Sequence, residues 1–366
     1  MIRRFYVHNF RCLENFELVL SEPSVLLIGK NGSGKTTVSL ALEILQKIAR
    51  GTNRVGELVR PSSRGRPDAP VRFEIEAKIK GDTYEYAIAF ELPERFRELR
   101  VLEEKLGVNG RPIYTRQQAE VNLAKMGRQP EGRFRIDWQL VALPIVQEQT
   151  QDDPLYVFKR YLARMLILRP IPALISGDSE EETSWPNAQV TDFGAWLSGL
   201  LLYAPAAYGA IDRYLKEVMP DLRDIKNERV GRDARSIVVQ FSSDQGSLPL
   251  PFKDLSDGEK CFMVCAMTIA ANNADGPIVC FWDEPDNYLA LDEVGQFVLA
   301  LRRAFQSGGQ FIATSHHPEA IGAFSRENTF LLYRKSHLEP TIIRRIEDLK
   351  VNGDLVSALI RGDVEP

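Results

Sequence analysis

Alternating and unbroken apolar runs divide the chain into two strand-rich stretches with a helical stretch between them. Near the N-terminus Phe5 and Val7 alternate with Tyr6 and His8, and Phe16, Leu18 and Leu20 form a second period-two run, so residues 4–28 read as three short strands. The last of these, 25–28, is continuously apolar, the pattern of a strand buried on both faces. Behind it Val38, Ala41, Leu42, Leu45 and Ile48 recur at helical spacing from Thr36 until Gly51 stops them. Residues 51–70 are rich in Gly, Pro, Ser and Arg without periodicity and read as a solvated loop. Period two returns in 71–90, a hairpin turning at Gly81-Asp82; a second hairpin turns at Asn109-Gly110, and 134–140 reads as a further strand.

From 154 the period becomes helical, with Leu155, Phe158, Tyr161, Leu162 and Met165 on one face and one or two helices over 190–218 ending before Pro220. No a/d heptads are sustained, which argues against a long coiled-coil arm. Residues 235–242 read as a strand, a helix opens at Leu255, and 277–282 is an unbroken apolar run. A helix over 294–305 stops at Gly308-Gly309, followed by a buried strand at 311–314, closing strands at 329–333 and 341–345, and a short helix near 352–361. The expected class is α/β: a mixed sheet core, an antiparallel β lobe and a helical insert. The expected units are 1–150, 151–234 and 235–366.

Composition narrows the partners. The 366 residues carry a net charge of −4, with 44% hydrophobic and 26% charged residues, ordinary for a soluble globular protein. There is no global basic footprint of a dedicated nucleic-acid binder, although a local patch leaves DNA open as a partner. Cys12, Cys261, Cys265 and Cys280 form no Cys-x-x-Cys pair and read as reduced core residues. The N-terminus has no apolar leader and no stretch reaches the ~18 apolar residues of a membrane span, so a cytoplasmic protein with no membrane association is expected.

The strand at 25–28 runs into Gly29-Lys30-Asn31-Gly32-Ser33-Gly34-Lys35-Thr36-Thr37, with a helix immediately behind. Strand, G-x-x-x-x-G-K-T loop and helix together form a phosphate-binding loop: backbone N–H groups and the helix N-terminus face the β- and γ-phosphates, Lys35 adds charge, and the Thr36 hydroxyl is placed for Mg²⁺. Asp283 and Glu284 end the second buried strand, Asp283 placed to hold Mg²⁺ through water and Glu284 to polarise an attacking water. ATP and Mg²⁺ are the expected ligands. Leu255-Ser256-Asp257-Gly258-Glu259 opens a helix and suits an anion; its Ser256 and Glu259 also match a capping box.

With Ser256 and Gly258 just upstream of the Asp283-Glu284 pair, the chain resembles the compact ABC-type ATPase heads of the RecF, OLD and SMC branch. Asn9-Phe10-Arg11 looks like the first turn of those heads, where Arg11 would approach the phosphates. Residues 286–291 take the D-loop position, and Thr314-Ser315-His316-His317-Pro318 looks like the switch-histidine segment, with His316 the γ-phosphate sensor and His317 the alternative. The resemblance implies a glutamine that joins the metal site: Gln139, Gln147 and Gln149 qualify, and Gln147 is preferred. It further implies that two copies associate head to tail on ATP, as a dimer or higher oligomer, with Ser256 and Gly258 completing the partner's site and Lys35, Thr36, Asp283, Glu284 and His316 acting in cis.

The departures matter as well. The insert is too short and too mixed for an SMC arm, and the 50 residues after His316 are too few for the nuclease domain of OLD proteins. The resemblance therefore implies an ATPase whose output lies in a separate effector protein, as in prokaryotic anti-phage defence. The rival is RecF-like action on duplex DNA in repair. The ATP subunit of a membrane transporter fits least.

Overall fold

The computed structural model describes residues 1–124, 131–274, 276–349 and 358. Its first half opens with β1 (Ile2–His8), β2 (Phe16–Val19), β3 (Ser24–Ile28) and α1 (Lys35–Ala49), then a single turn α2 (Val55–Leu58). Six strands follow: β4 (Val71–Ile79), β5 (Asp82–Glu91), β6 (Arg100–Val108), β7 (Arg111–Gln117), β8 (Glu120–Leu123) and β9 (Gly132–Arg135). The middle holds α3 (Pro154–Ala163), β10 (Leu166–Leu168), β11 (Asp178–Ser179), α4 (Phe193–Tyr203), α5 (Ala207–Val218) and β12 (Leu222–Val230). The last part comprises β13 (Ala234–Ser243), β14 (Gly246–Pro251), α6 (Asp257–Ala274), β15 (Val279–Trp282), α7 (Leu291–Gln306), β16 (Gln310–Thr314), α8 (Pro318–Gly322), β17 (Thr329–Tyr333) and β18 (Ile342–Arg345).

These strands make three sheets. An eight-stranded antiparallel sheet runs β2-β1-β4-β5-β6-β7-β8-β9, and a six-stranded sheet runs β10-β15-β16-β3-β17-β18, parallel except for the β17–β18 pair. A smaller sheet pairs β13 with β11, β12 and β14. The parallel sheet divides two cores: Val25 and Leu27 of β3 face the one shared with the antiparallel sheet and α1, while Leu26 and Ile28 face the one built on α4 to α7. Burial on both faces explains why this strand reads as an unbroken apolar run. Gln310 joins the two large sheets, its side-chain amide accepting from Ile2 N at 2.7 Å and donating to Ile2 O at 3.1 Å.

A buried polar cluster fixes the far side of the antiparallel lobe. The Glu104 carboxylate accepts from the Tyr86 and Tyr114 hydroxyls at 3.0 and 2.8 Å and from the Ala142 and Leu143 amides at 2.7 and 2.9 Å. Arg116 Nη1 lies 3.5 Å away, and both charged side chains are fully buried. Burial beside the carboxylate drives both tyrosine pKa values well above the ordinary range. Four strong donors satisfy the charge, so the 140s loop is pinned to the lobe rather than left to solvent.

Several elements depart from the sequence reading. The stretch 154–220 does carry three helices, with Pro205 in the break between α4 and α5, but it also supplies β10 to the edge of the parallel sheet. The expected strand at 134–140 ends at Arg135, because Asp137 Oδ1 accepts from Gln139 N at 2.7 Å and turns the chain. The loop at 51–70 contains α2, which buries Val55 and Leu58. The helix expected near 352–361 lies outside the described residues, Ala358 apart.

Candidate nucleotide site

The C-terminal ends of three neighbouring parallel strands, β15, β16 and β3, meet at one edge of the sheet, where ligands bind in open α/β folds. β3 delivers the glycine loop. Gly29, Gly32 and Gly34 have φ of 150°, 80° and 105°. A Cβ on Gly29 would stand 2.2 Å from Leu332 O, and one on Gly34 would stand 2.7 Å from Thr341 Oγ1, so the β17–β18 connection packs against the loop so closely that only glycine fits. A cavity of about 540 Å³ opens over it, and its wall includes Asn31, Gly32, Gly34, Lys35, Thr36, Thr37, Arg11 and Glu284.

Lys35 is nearly buried and folds back, its Nζ donating to Gly29 O at 2.9 Å and lying 2.6 Å from His316 Nε2. Glu284 Oε1 is 3.2 Å from the same imidazole nitrogen. Burial lowers the Lys35 pKa while Glu284 and Asp283 pull it up; burial and then the Lys35 charge lower that of His316. His316 Nε2 thus lies between the Lys35 ammonium and the Glu284 carboxylate, and the lowered His316 pKa favours a neutral imidazole there. His317 behaves differently, because its Nδ1 accepts from Glu319 N at 3.2 Å and caps α8. Of the two histidines, only His316 joins Lys35 and Glu284.

Thr314, the last residue of β16, organises the acidic pair. Its hydroxyl donates to Asp283 Oδ1 at 2.6 Å and accepts from Glu284 N at 2.8 Å. Glu284 has φ 52°, a left-handed conformation that costs a non-glycine residue about 1–2 kcal/mol and is sustained here by that bond. Asn287 Nδ2 holds Glu284 Oε2 at 2.7 Å. Behind them Ser315 Oγ donates to Asp286 Oδ2 at 3.0 Å and accepts from His317 N at 2.9 Å, and burial raises the Asp286 pKa. The sequence reading placed Thr314 in the switch-histidine segment without giving it this role, because its nearness to Asp283-Glu284 comes from the pairing of β15 with β16.

The residues present fit a Mg²⁺-bound triphosphate. The Ser33 hydroxyl is buried within the loop without a protein partner, the Thr36 side chain opens to the cavity, and the Asp283 carboxylate stands beside Glu284. Thr36 and Asp283 would hold the metal, which when bound would neutralise phosphate charge.

One expectation needs correction. Gln147 is exposed, donates its Nε2 to Ile145 O at 3.2 Å within its own loop, and does not line the cavity. Gln139 is engaged with Glu98 and Gln149 is exposed, so none of the three glutamines is brought to the metal position. Ser256 does form the capping box: its Oγ accepts from Glu259 N at 3.3 Å and its N–H donates to Glu259 Oε2 at 2.7 Å. Ser256 is exposed and Gly258 partly so, and both stand apart from the cavity wall. The wall also contains Cys12, Arg64, Gly65, Arg334 and His337, which the sequence reading did not assign.

The family model described as "AAA domain, putative AbiEii toxin, Type IV TA system" matches residues 24–322. An OLD nuclease of Thermus scotoductus is 44% identical over 45 residues, which is 12% of this chain and 8% of that protein. Among solved structures, the crystal structure of the SmcHead bound to the C-winged helix domain of ScpA aligns at a TM-score of 0.59 and 13% identity, over 95% of this chain and 99% of that one. The SMC head domain from Thermotoga maritima aligns at 0.49 and 12% identity, over 94% and 98%. No helix among the described residues is long and apolar enough to cross a membrane. With the glycine loop, the Asp283-Glu284 pair and the sheet order in place, the chain belongs to this AAA domain family and has the fold of an SMC head domain.

Proposed function

We propose that the chain binds ATP with Mg²⁺ at this site, hydrolyses it, and associates head to tail with a second copy while ATP is bound, so that nucleotide state controls a separate effector protein. The observation that carries this reading is the Lys35–His316–Glu284 contact beside the loop, in which His316 Nε2 lies 2.6 Å from Lys35 Nζ and 3.2 Å from Glu284 Oε1. Backbone N–H groups of residues 31–36 and the N-terminus of α1 hold the phosphates, and Lys35 exchanges the His316 nitrogen for a γ-phosphate oxygen. Glu284, aimed by Thr314 and Asn287, takes a proton from water as its oxygen attacks the γ-phosphorus and the bridging oxygen departs with ADP. The exposure of Ser256 and Gly258, away from the cavity wall, supports their action on a partner's nucleotide.

The family description names a type IV toxin–antitoxin system and the short relative is an OLD nuclease; both support a setting in prokaryotic defence. Glu284→Gln should retain ATP, turn over slowly and double in mass from 41.4 kDa by light scattering. A monomer with ATP bound would refute the association. For the effector, co-purification with the product of a neighbouring gene is expected. Salt-sensitive binding to duplex DNA without such a partner would transfer support to RecF-like repair.

A further inference from the structure

The two residues that would hold Mg²⁺ stand on different elements, Thr36 in the first turn of α1 and Asp283 just beyond β15. Their separation is therefore set by whatever fixes α1 to the parallel sheet. That attachment runs along β10. At the far end of α1, Gln46 Nε2 and Arg50 Nη2 both donate to Met165 O, just before the strand. At the near end Arg169, just after the strand, reaches across: its Nη1 donates to Ser39 Oγ at 3.0 Å and its Nη2 to Glu43 Oε2 at 2.5 Å. Ser39 Oγ in turn donates to Thr36 O at 2.9 Å. On the main chain Leu168 O accepts from Asp283 N at 2.8 Å, and Arg169 N donates to Ala188 O at 2.6 Å. Arg169 thus has Thr36 two hydrogen bonds away on one side and, through the preceding residue, Asp283 on the other.

Neutralising Glu43 does not require this arginine, because Lys47, on the same helix, already places Nζ 2.8 Å from Glu43 Oε1. What the guanidinium adds is reach and direction. Its planar fork of donors meets two acceptors one helical turn apart, a geometry that a lysine ammonium does not fix. Ser39 is fully buried, and the Arg169 and Glu43 side chains are mostly so, which shields these bonds from water. Arg169 does not line the nucleotide cavity. We propose that Arg169 is a positioning residue of the metal site: through Ser39 it holds the first turn of α1, and Thr36 with it, at the separation from Asp283 that Mg²⁺ requires. This rests on the reading of the site as one for ATP with Mg²⁺ and adds the residue that sets its metal geometry.

Calorimetric titration of ATP in Mg²⁺ and in EDTA separates the metal from the phosphate loop. Arg169→Met keeps the apolar stem and leaves Glu43 with Lys47, and Ser39→Ala removes only a hydroxyl, so both variants should fold. Each should bind ATP in EDTA as the wild type does and lose about fivefold of the affinity that Mg²⁺ adds, the effect of one hydrogen bond behind a metal-holding residue. Because the two side chains act along one path, the double variant should lose no more than Arg169→Met alone. An unchanged gain from Mg²⁺ in either single variant, equal losses in Mg²⁺ and in EDTA, or losses that add in the double variant would each overturn the proposal alone. A wild-type chain that binds no ATP, or binds it equally with and without Mg²⁺, would overturn the nucleotide reading and the proposal together.

Discussion

Thr314→Val isolates two hydrogen bonds at the centre of the site. The side chain is fully buried at the end of β16, and valine nearly matches its volume, so no appreciable cavity forms and the change is chemical. The bond to the Asp283 carboxylate, at 2.6 Å, is of the charge-assisted kind whose loss costs about 1.5–3 kcal/mol. Removing the acceptor of Glu284 N adds about 1 kcal/mol, the low end of the usual range because Glu284 is only half-buried. The sum is about 3 kcal/mol. The kinetic effect should be larger, since Glu284 sits at φ 52° and that bond opposes its relaxation to negative φ. A shift of the carboxylate by about 1 Å lowers turnover about a hundredfold. Urea unfolding followed by tryptophan fluorescence, with steady-state ATP hydrolysis, measures both, and Thr314→Ser, which keeps the hydroxyl, should stay close to wild type in each. A valine variant within about 0.5 kcal/mol of wild type and with unchanged turnover would refute the assignment of Thr314 as the residue that positions the acidic pair.

Glu104→Ala removes the acceptor of four donors and leaves the buried Arg116 charge with only the Gln118, Asp137 and Leu140 carbonyls, so a loss of about 3–5 kcal/mol is expected, with faster hydrogen exchange at the Ala142 and Leu143 amides; protection as in wild type would show that the 140s loop does not depend on this cluster. Ser256→Ala should cost about 1 kcal/mol through the cap alone, whereas Ser256→Asp keeps the cap but repels phosphate: retained stability with lost ATPase supports action in trans, and full activity of the aspartate variant counts against it. Because the folded chain holds the His316 pKa below its ordinary 6.5, the unfolded chain binds the proton first as pH falls. His316 therefore contributes stability that is intact above pH 6.5 and declines below it, so the gap between wild type and His316→Asn should narrow from pH 8 to pH 5.5; a constant gap would contradict a neutral His316 beside Lys35.

Where burial produces a period, the sequence was legible. β1 and β4 alternate because one face packs on the core, and β3, β15 and β16 are unbroken apolar runs because both faces do. The glycine loop and Asp283-Glu284 could be recognised because they lie directly at the ends of such strands. β10 was hidden: three apolar residues just after a helix cannot be told from another helical turn by spacing. β12 alternates charged residues such as Lys226 and Glu228 with little apolar content, and β14 carries Pro249 and Pro251, so neither presents a strand signal. Gln147 was misplaced for a related reason. A glutamine in an irregular loop has no period to fix its direction, and the turn that aims it at Ile145 O is set by tertiary contacts.

The site depends on sheet order more than on any motif. Residues 29–36, 283–284 and 314–316 are far apart in sequence, yet β15, β16 and β3 are successive strands of one parallel sheet, and their carboxyl ends deliver all three segments to one edge. The same edge leads outward to the exposed start of α6. Glu284 is bonded to Asn287, and at the next residue a Cβ placed on Gly258 would stand 3.2 Å from Tyr288 O. Five residues of chain, 284–288, thus join the Glu284 carboxylate to the backbone that stands over Gly258, two residues from Ser256.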